Sequence, residues 1–117
     1  YASDAFNTYN NMTLISNAQT ANVEPDEGRL MVYEETSTGS TTLDTDLKGY
    51  VSRDGGTTYT PTPLTLDTTY ETGKTLVSGS VDISGQPSGT SMKYKIETLN
   101  QSSSKVCRLH GASLLWA

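Results

Sequence analysis

The sequence predicts an all-β protein: an antiparallel β-sandwich, or a jelly roll, of six to eight short strands. Three observations carry this. Thr and Ser supply 19 and 14 of the 117 residues, against 21 charged ones. Threonine fits the half-buried pleated surface of a sheet. Strict apolar/polar alternation recurs along the chain, while no helical period of useful length does. Clusters of Gly, Pro, Asp and Ser punctuate the chain at short intervals, as turns between short strands do.

The elements follow in order. Residues 1–10 read as a linker or N-terminal arm, and 11–117 as a single domain. Asn11–Ser16 is a short strand. Arg29–Glu34 is a strand with both faces partly apolar. In Asp46–Arg53, Leu47, Gly49 and Val51 share one face, and Lys48, Tyr50 and Ser52 share the other. Thr57–Leu66 is β-prone, but Pro61 and Pro63 cannot donate to a ladder, so it is an edge strand or a broken one. Lys74–Ile83 places Val77, Val81 and Ile83 together, with Gly79 between them. Ser91–Glu97 directs Met92, Tyr94 and Ile96 one way and Lys93, Lys95 and Glu97 the other, the mark of a sheet with one wet face. Lys105–Trp116 is a long final strand in which Gly111 marks a bulge or bend. Turns are expected at Glu24–Gly28, Thr36–Thr42, Asp54–Gly56 and Gly85–Gly89. Val51, Val81, Tyr94, Ile96 and Leu109 are the expected core. No internal repeat is present.

Composition bounds the function. Leu, Ile, Val and Phe together number 21, which leaves a lean core. The net charge of −5 offers no basic stripe for a phosphate backbone, so nucleic acid is not an expected partner. No apolar run approaches a membrane span, and no signal peptide is visible. The single cysteine, Cys107, excludes an intrachain disulfide. A first residue of Tyr, not Met, suggests a processed chain or the C-terminal piece of a longer one.

Few residues form a chemical constellation. Ser52, Asp54, Gly55, Gly56 and Thr58, followed by Tyr59, fit the Asp-box pattern S-x-D-x-G-x-[TS]-aromatic. That box is a structural hairpin turn in sialidases and related propellers, and it is expected to be structural here. The turn should join the strand ending at Arg53 to the segment beginning at Thr57, with at least one glycine at positive φ. His110, the only histidine, reads as an exposed strand residue; no G-x-S-x-G elbow accompanies it. One His and one Cys are too few for zinc. Asp44 and Asp46 offer two carboxylates, far short of a calcium loop, and read as solvated acids. Glu34 and Glu35 are strand neighbours facing opposite sides, so they cannot form a glycosidase pair. Asn11 and Asn100 fit glycosylation sequons, which a Ser/Thr-rich chain produces by chance. No cofactor and no metal are expected, and the chain does not read as an enzyme. Tyr50 and Tyr59, if exposed, could stack on a sugar. The apolar end Ser113–Ala117 must be buried in its own core or against another chain. Leu114 and Trp116 share one parity and Leu115 the other. One face is therefore expected in the core and the other in an intersubunit contact, most simply in a trimer.

Four blocks in order raise a family. They are Asn11–Asn17 with Pro25-Asp26 and Val32–Glu35; Leu43–Leu47 running into Tyr50–Thr58; Ser78–Thr90 with Met92–Lys95; and Arg108–Gly111 with Leu114–Trp116. Together they resemble the C-terminal module of tailed-phage virion proteins, particularly the tail-fibre-like proteins of marine and environmental phages. The resemblance spans roughly residues 11–116. Cys107 departs from it where a polar residue is commoner, and Tyr59 where Trp often follows the Asp-box. It implies a non-enzymatic structural module in the virion, assembled in the host cytoplasm and displayed on the particle. Its partners would be copies of itself and other virion proteins. Two alternatives follow: an adhesin tip that binds host-surface glycans, and a capsid decoration or head-fibre protein.

Overall fold

The computed structural model describes residues 10–117. The expected arm, residues 1–10, lies outside the described residues apart from Asn10. The described chain is all-β, with nine strands: β1 (Met12–Ile15), β2 (Gln19–Thr20), β3 (Glu27–Thr38), β4 (Leu47–Ser52), β5 (Thr60–Thr62), β6 (Thr65–Glu71), β7 (Lys74–Asp82), β8 (Ser91–Thr98) and β9 (Val106–Trp116). They form two antiparallel sheets. One has the order β1-β8-β4-β5, with β2 also on β8; the other has the order β6-β7-β3-β9. Two sheets facing across one apolar layer make a β-sandwich.

The alternation explains the core. Leu47, Gly49 and Val51 of β4 point inward beside Met92 and Ile96 of β8. Leu30, Val32 and Val77 face them from the other sheet, and all these side chains are almost fully buried. Of the five expected core residues, Val51 and Ile96 are fully buried. Val81, Tyr94 and Leu109 are only half-buried and pack against the core's margin. The reason is supply: a lean core fills the centre and leaves its rim open. Ser52, expected on the wet face, is buried because its hydroxyl is recruited into the turn that follows.

Three boundaries differ from expectation. The count is nine strands, because two very short pieces, β2 and β5, pair at the margins of the first sheet. Thr57–Leu66 is broken, with its halves in different sheets: β5 pairs β4, whereas β6 pairs β7. The crossover between them passes against Gly79, where an added Cβ would lie 1.8 Å from the Pro63 carbonyl oxygen. Only glycine fits there. Finally, β3 runs on to Thr38, so the expected turn at Thr36 begins later, near Gly39.

The final strand carries the expected bulge. Tyr33 pairs with Gly111 but Glu34 with Leu109, so His110 is the extra residue. The bulge shifts the side-chain parity by one. Cys107 and Leu109 face inward before it, and Ala112 and Leu114 after it.

Candidate functional site

The Asp-box residues form the tightest local structure. β4 and β5 are the two arms of a hairpin, with Gly49 opposite Thr62 and Val51 opposite Thr60. Gly55 and Gly56 have φ of 77° and 93°, the left-handed region that favours glycine. Asp54 Oδ1 accepts the Ser52 hydroxyl at 2.7 Å and the Thr58 N–H at 2.8 Å. Ser52 Oγ in turn accepts the Gly56 N–H at 2.9 Å. Burial pushes the Asp54 carboxyl up, but the Thr58 and Ser52 hydrogen bonds outweigh it and hold the carboxyl below its usual value. Asp54 thus closes a turn with its own neighbours. Its second oxygen, Oδ2, is buried without a hydrogen-bond partner among the described residues.

Next to this turn lies a buried polar knot that the sequence did not signal. Arg53 is 4% exposed. Its guanidinium donates to the carbonyls of Pro87 (3.1 Å), Pro25 (2.9 Å), Ser84 (3.1 Å) and Gln86 (2.6 Å). Glu24 and Asp26 lie 3.2 and 3.5 Å from Nη1. The Gln86 side chain accepts the Arg53 N–H and donates to the Val51 carbonyl and the Thr60 hydroxyl, each at 2.8 Å. The fork of one arginine therefore ties the end of β4 to the loops entering β3 and leaving β7.

Of the two acids read as solvated, Asp44 is exposed and Asp46 is not. Asp46 is buried and accepts Lys105 Nζ at 2.8 Å, the Thr42 N–H at 2.8 Å and Asn100 Nδ2 at 2.9 Å. The Lys105 hydrogen bond above all lowers its pKa to about 2. Asp44 accepts the Leu64 N–H. Glu34 is buried and accepts the hydroxyls of Thr36 and Thr75 and the Cys107 thiol. Burial, followed by Glu34, pushes the Cys107 thiol up to about 12. His110 meets Glu35 at 2.8 Å, and this contact lowers the Glu35 pKa. Glu34 and Glu35 do face opposite sides, one buried and one outward. Among the described residues no group of three or more His, Cys, Asp and Glu could hold a metal, and no helix is long and apolar enough to cross a membrane.

Tyr50 and Tyr59 are brought near each other, with a lysine between them. Lys95 Nζ lies 4.4 Å from the Tyr50 ring centroid and 4.7 Å from that of Tyr59, a cation held between two rings. The Tyr50 hydroxyl donates to Glu97 at 2.6 Å, which with burial pushes its pKa up to about 12.

At the C-terminus, Leu114 packs against the core, while Leu115 and Trp116 are 53% and 36% exposed. Trp116 is on the inward parity but at the open side of the sandwich. There it lines a groove of about 300 Å³ with Ser16, Asn17, Met92, Tyr94 and Leu114. Ala117 and Glu27 exchange both backbone hydrogen bonds at 3.1 Å. Antiparallel pairing alternates, so Ser113 and Leu115 bond to β3, and Ala112, Leu114 and Trp116 turn their N–H and C=O groups to the outer edge, on which no strand pairs among the described residues. Of the other sheet edges, β5 and β6 are blunted in the ways that prevent edge pairing. β5 is three residues long and contains Pro61; β6 carries Asp67 and Glu71 and two register irregularities. The stretch Gly111–Trp116 of β9 has no charged side chain, no proline and no bulge. Comparison with protein-family models, curated proteins and solved structures finds no match to this chain.

Proposed function

We propose that the chain is a non-enzymatic structural module of a phage virion, the C-terminal domain of a tail-fibre or spike-like protein, working in assembly and surface display. The sequence blocks that resemble tail-fibre-like proteins suggest the setting. The observation that supports the assembly role is the edge Ala112–Trp116, which no strand covers among the described residues and which lies beside an apolar groove. A natural monomer does not leave such an edge bare. The short, uncharged β1 edge flanks the same open side. Three copies with their open sides turned to a common axis bury the β9 edge of each against the β1 edge of the next. Head-to-tail contacts of this kind close into a ring. The uncharged edge suits this, because each copy carries a net charge of −5 and like charges facing one another would oppose contact.

The virion reading is tested by mass spectrometry of density-banded particles from a sample that encodes this chain. Its peptides are expected in the particle fraction at structural abundance. Peptides confined to the soluble lysate would refute the reading.

A further inference from the structure

At the opposite edge of the β1-β8-β4-β5 sheet, away from the open side, lies a cup of about 290 Å³ lined by Asp44, Lys48, Tyr50, Pro61 and Pro63 among others. Ligand pockets run from roughly 300 to 1,000 Å³, so this cup has room for one small ring and not for a chain of them. Three of its walls are rigid rings. Pro61 lies directly across from Tyr50 in the register, while Lys95 lies across on the other side. The lysine ammonium lies over the Tyr50 ring at 4.4 Å, and the cup is lined by Tyr50 and not by Lys95. The hydroxyl is tied to Glu97 at 2.6 Å, so the ring is fixed before any ligand arrives.

The polar groups at the cup are few and complementary. Asp44, held at φ 65°, has both carboxylate oxygens on a single donor, the Leu64 N–H, at 3.0 and 3.3 Å. A carboxylate has about four acceptor sites, so most remain open. Lys48 supplies a donor. A fixed π-face, two pyrrolidine rings, a carboxylate acceptor and an ammonium donor are the complement of a pyranose, with its C–H face and vicinal hydroxyls. A purely apolar ligand would strip water from Asp44 and Lys48 and return nothing. A uronate or phosphate would face the Asp44 carboxylate.

We propose that this cup binds a single neutral pyranose residue, such as the terminal sugar of a surface glycan. Tyr50 stacks on the ring and Asp44 accepts from its hydroxyls. Tyr59, on the far side of Lys95, serves only to steady the lysine. The site is separate from the β9 edge, so sugar binding and self-association stand or fall independently.

The test is a ¹⁵N–¹H NMR titration of the full chain with the methyl glycosides of glucose, galactose, mannose and N-acetylglucosamine, with glucuronate as the charged arm. Saturable millimolar binding of at least one neutral glycoside is expected, with shifts centred on Gly49, Tyr50 and Thr62. Tyr50→Ala should weaken it by about tenfold or more, equivalent to about 1.4 kcal/mol. Asp44→Asn can still accept from Leu64 and tolerates positive φ, so the fold is kept; it should bind several-fold more weakly. Tyr59→Ala should bind nearly as the parent does. The proposal is overturned if no neutral glycoside saturates, if glucuronate binds equally well, or if the shifts centre elsewhere, for instance on the exposed Tyr33–Tyr70 pair. Unaltered binding by both Tyr50→Ala and Asp44→Asn overturns it as well.

Discussion

Replacing the buried Arg53 by Met should destabilise the sandwich severely. The methionine keeps the length and apolar stem of the side chain and removes only the fork. Four carbonyls then lose their donor. Two of these hydrogen bonds, to Pro25 and Gln86, are buried; the other two are only partly so. Leaving a buried acceptor unsatisfied costs about 1–3 kcal/mol, so the two buried carbonyls imply about 2–6 kcal/mol, while water rescues the rest. The nearby Glu24 and Asp26 are 40% and 78% exposed and add little. Against a total stability of about 5–15 kcal/mol the loss is severe. Urea unfolding followed by circular dichroism measures it, read as a shift in midpoint at constant slope. Arg53→Lys should recover part of the loss, because an ammonium can reach some of the carbonyls but not all. A loss under about 1 kcal/mol for Arg53→Met would show that water replaces the guanidinium and that the knot does not hold the two sheets together.

Ile96→Ala removes a fully buried side chain and should cost about 2–5 kcal/mol in the same unfolding assay; a near-neutral result would mean that β8 does not face the core. Gly56→Val forces a β-branched residue to φ 93°, with its Cβ 2.9 Å from the Tyr59 hydroxyl. A cost on the order of 1–3 kcal/mol is expected, and thermal melting unchanged from the parent would remove the turn from the account. Asp46 ionises in the fold at about 2, below its ordinary 3.8. Its contribution is therefore complete above pH 3.8 and is lost as pH falls through about 2. Lys105→Met should flatten the acid limb of a stability-against-pH curve in that window, and an unaltered limb would show that another carboxylate governs it.

Much of the fold was legible because the side-chain period of a strand is written directly in the residues. β4, β8 and the bulge in β9 are of this kind. Val81, Tyr94 and Leu109 were placed deeper than they lie, because parity gives the face but not the distance from the sheet's margin. β6 was merged with β5 because one Thr- and Pro-rich run carries no mark of where it changes sheets; that is set by the crossover packing on Gly79. The turn at Ser52–Thr58 was readable, since each residue acts within a few positions of itself. The Arg53–Gln86 knot was not, because its partners lie 28 to 34 positions away. The cup beside Tyr50 is hidden for the same reason: Asp44, Tyr50 and Pro63 meet only once β4 and β5 are paired and the crossover is in place. Tyr50 and Tyr59 were legible as aromatic candidates, but the lysine that separates them was not.

The most direct test of the assembly role is the mass of the chain in solution by light scattering, from low to high micromolar concentration. Three copies of 12.6 kDa, about 38 kDa, are expected at the upper end. Trp116→Ala and Leu115→Lys should each shift the mass to that of the single chain. Leu115 is 53% exposed, so Leu115→Lys should lower unfolding stability by only about 1 kcal/mol or less. Trp116 is 36% exposed, so Trp116→Ala also gives up covered surface and should cost about 2–4 kcal/mol, which makes Leu115→Lys the cleaner variant. A parent chain that stays at 12.6 kDa throughout, or variants that lose stability without changing the mass, would contradict the account.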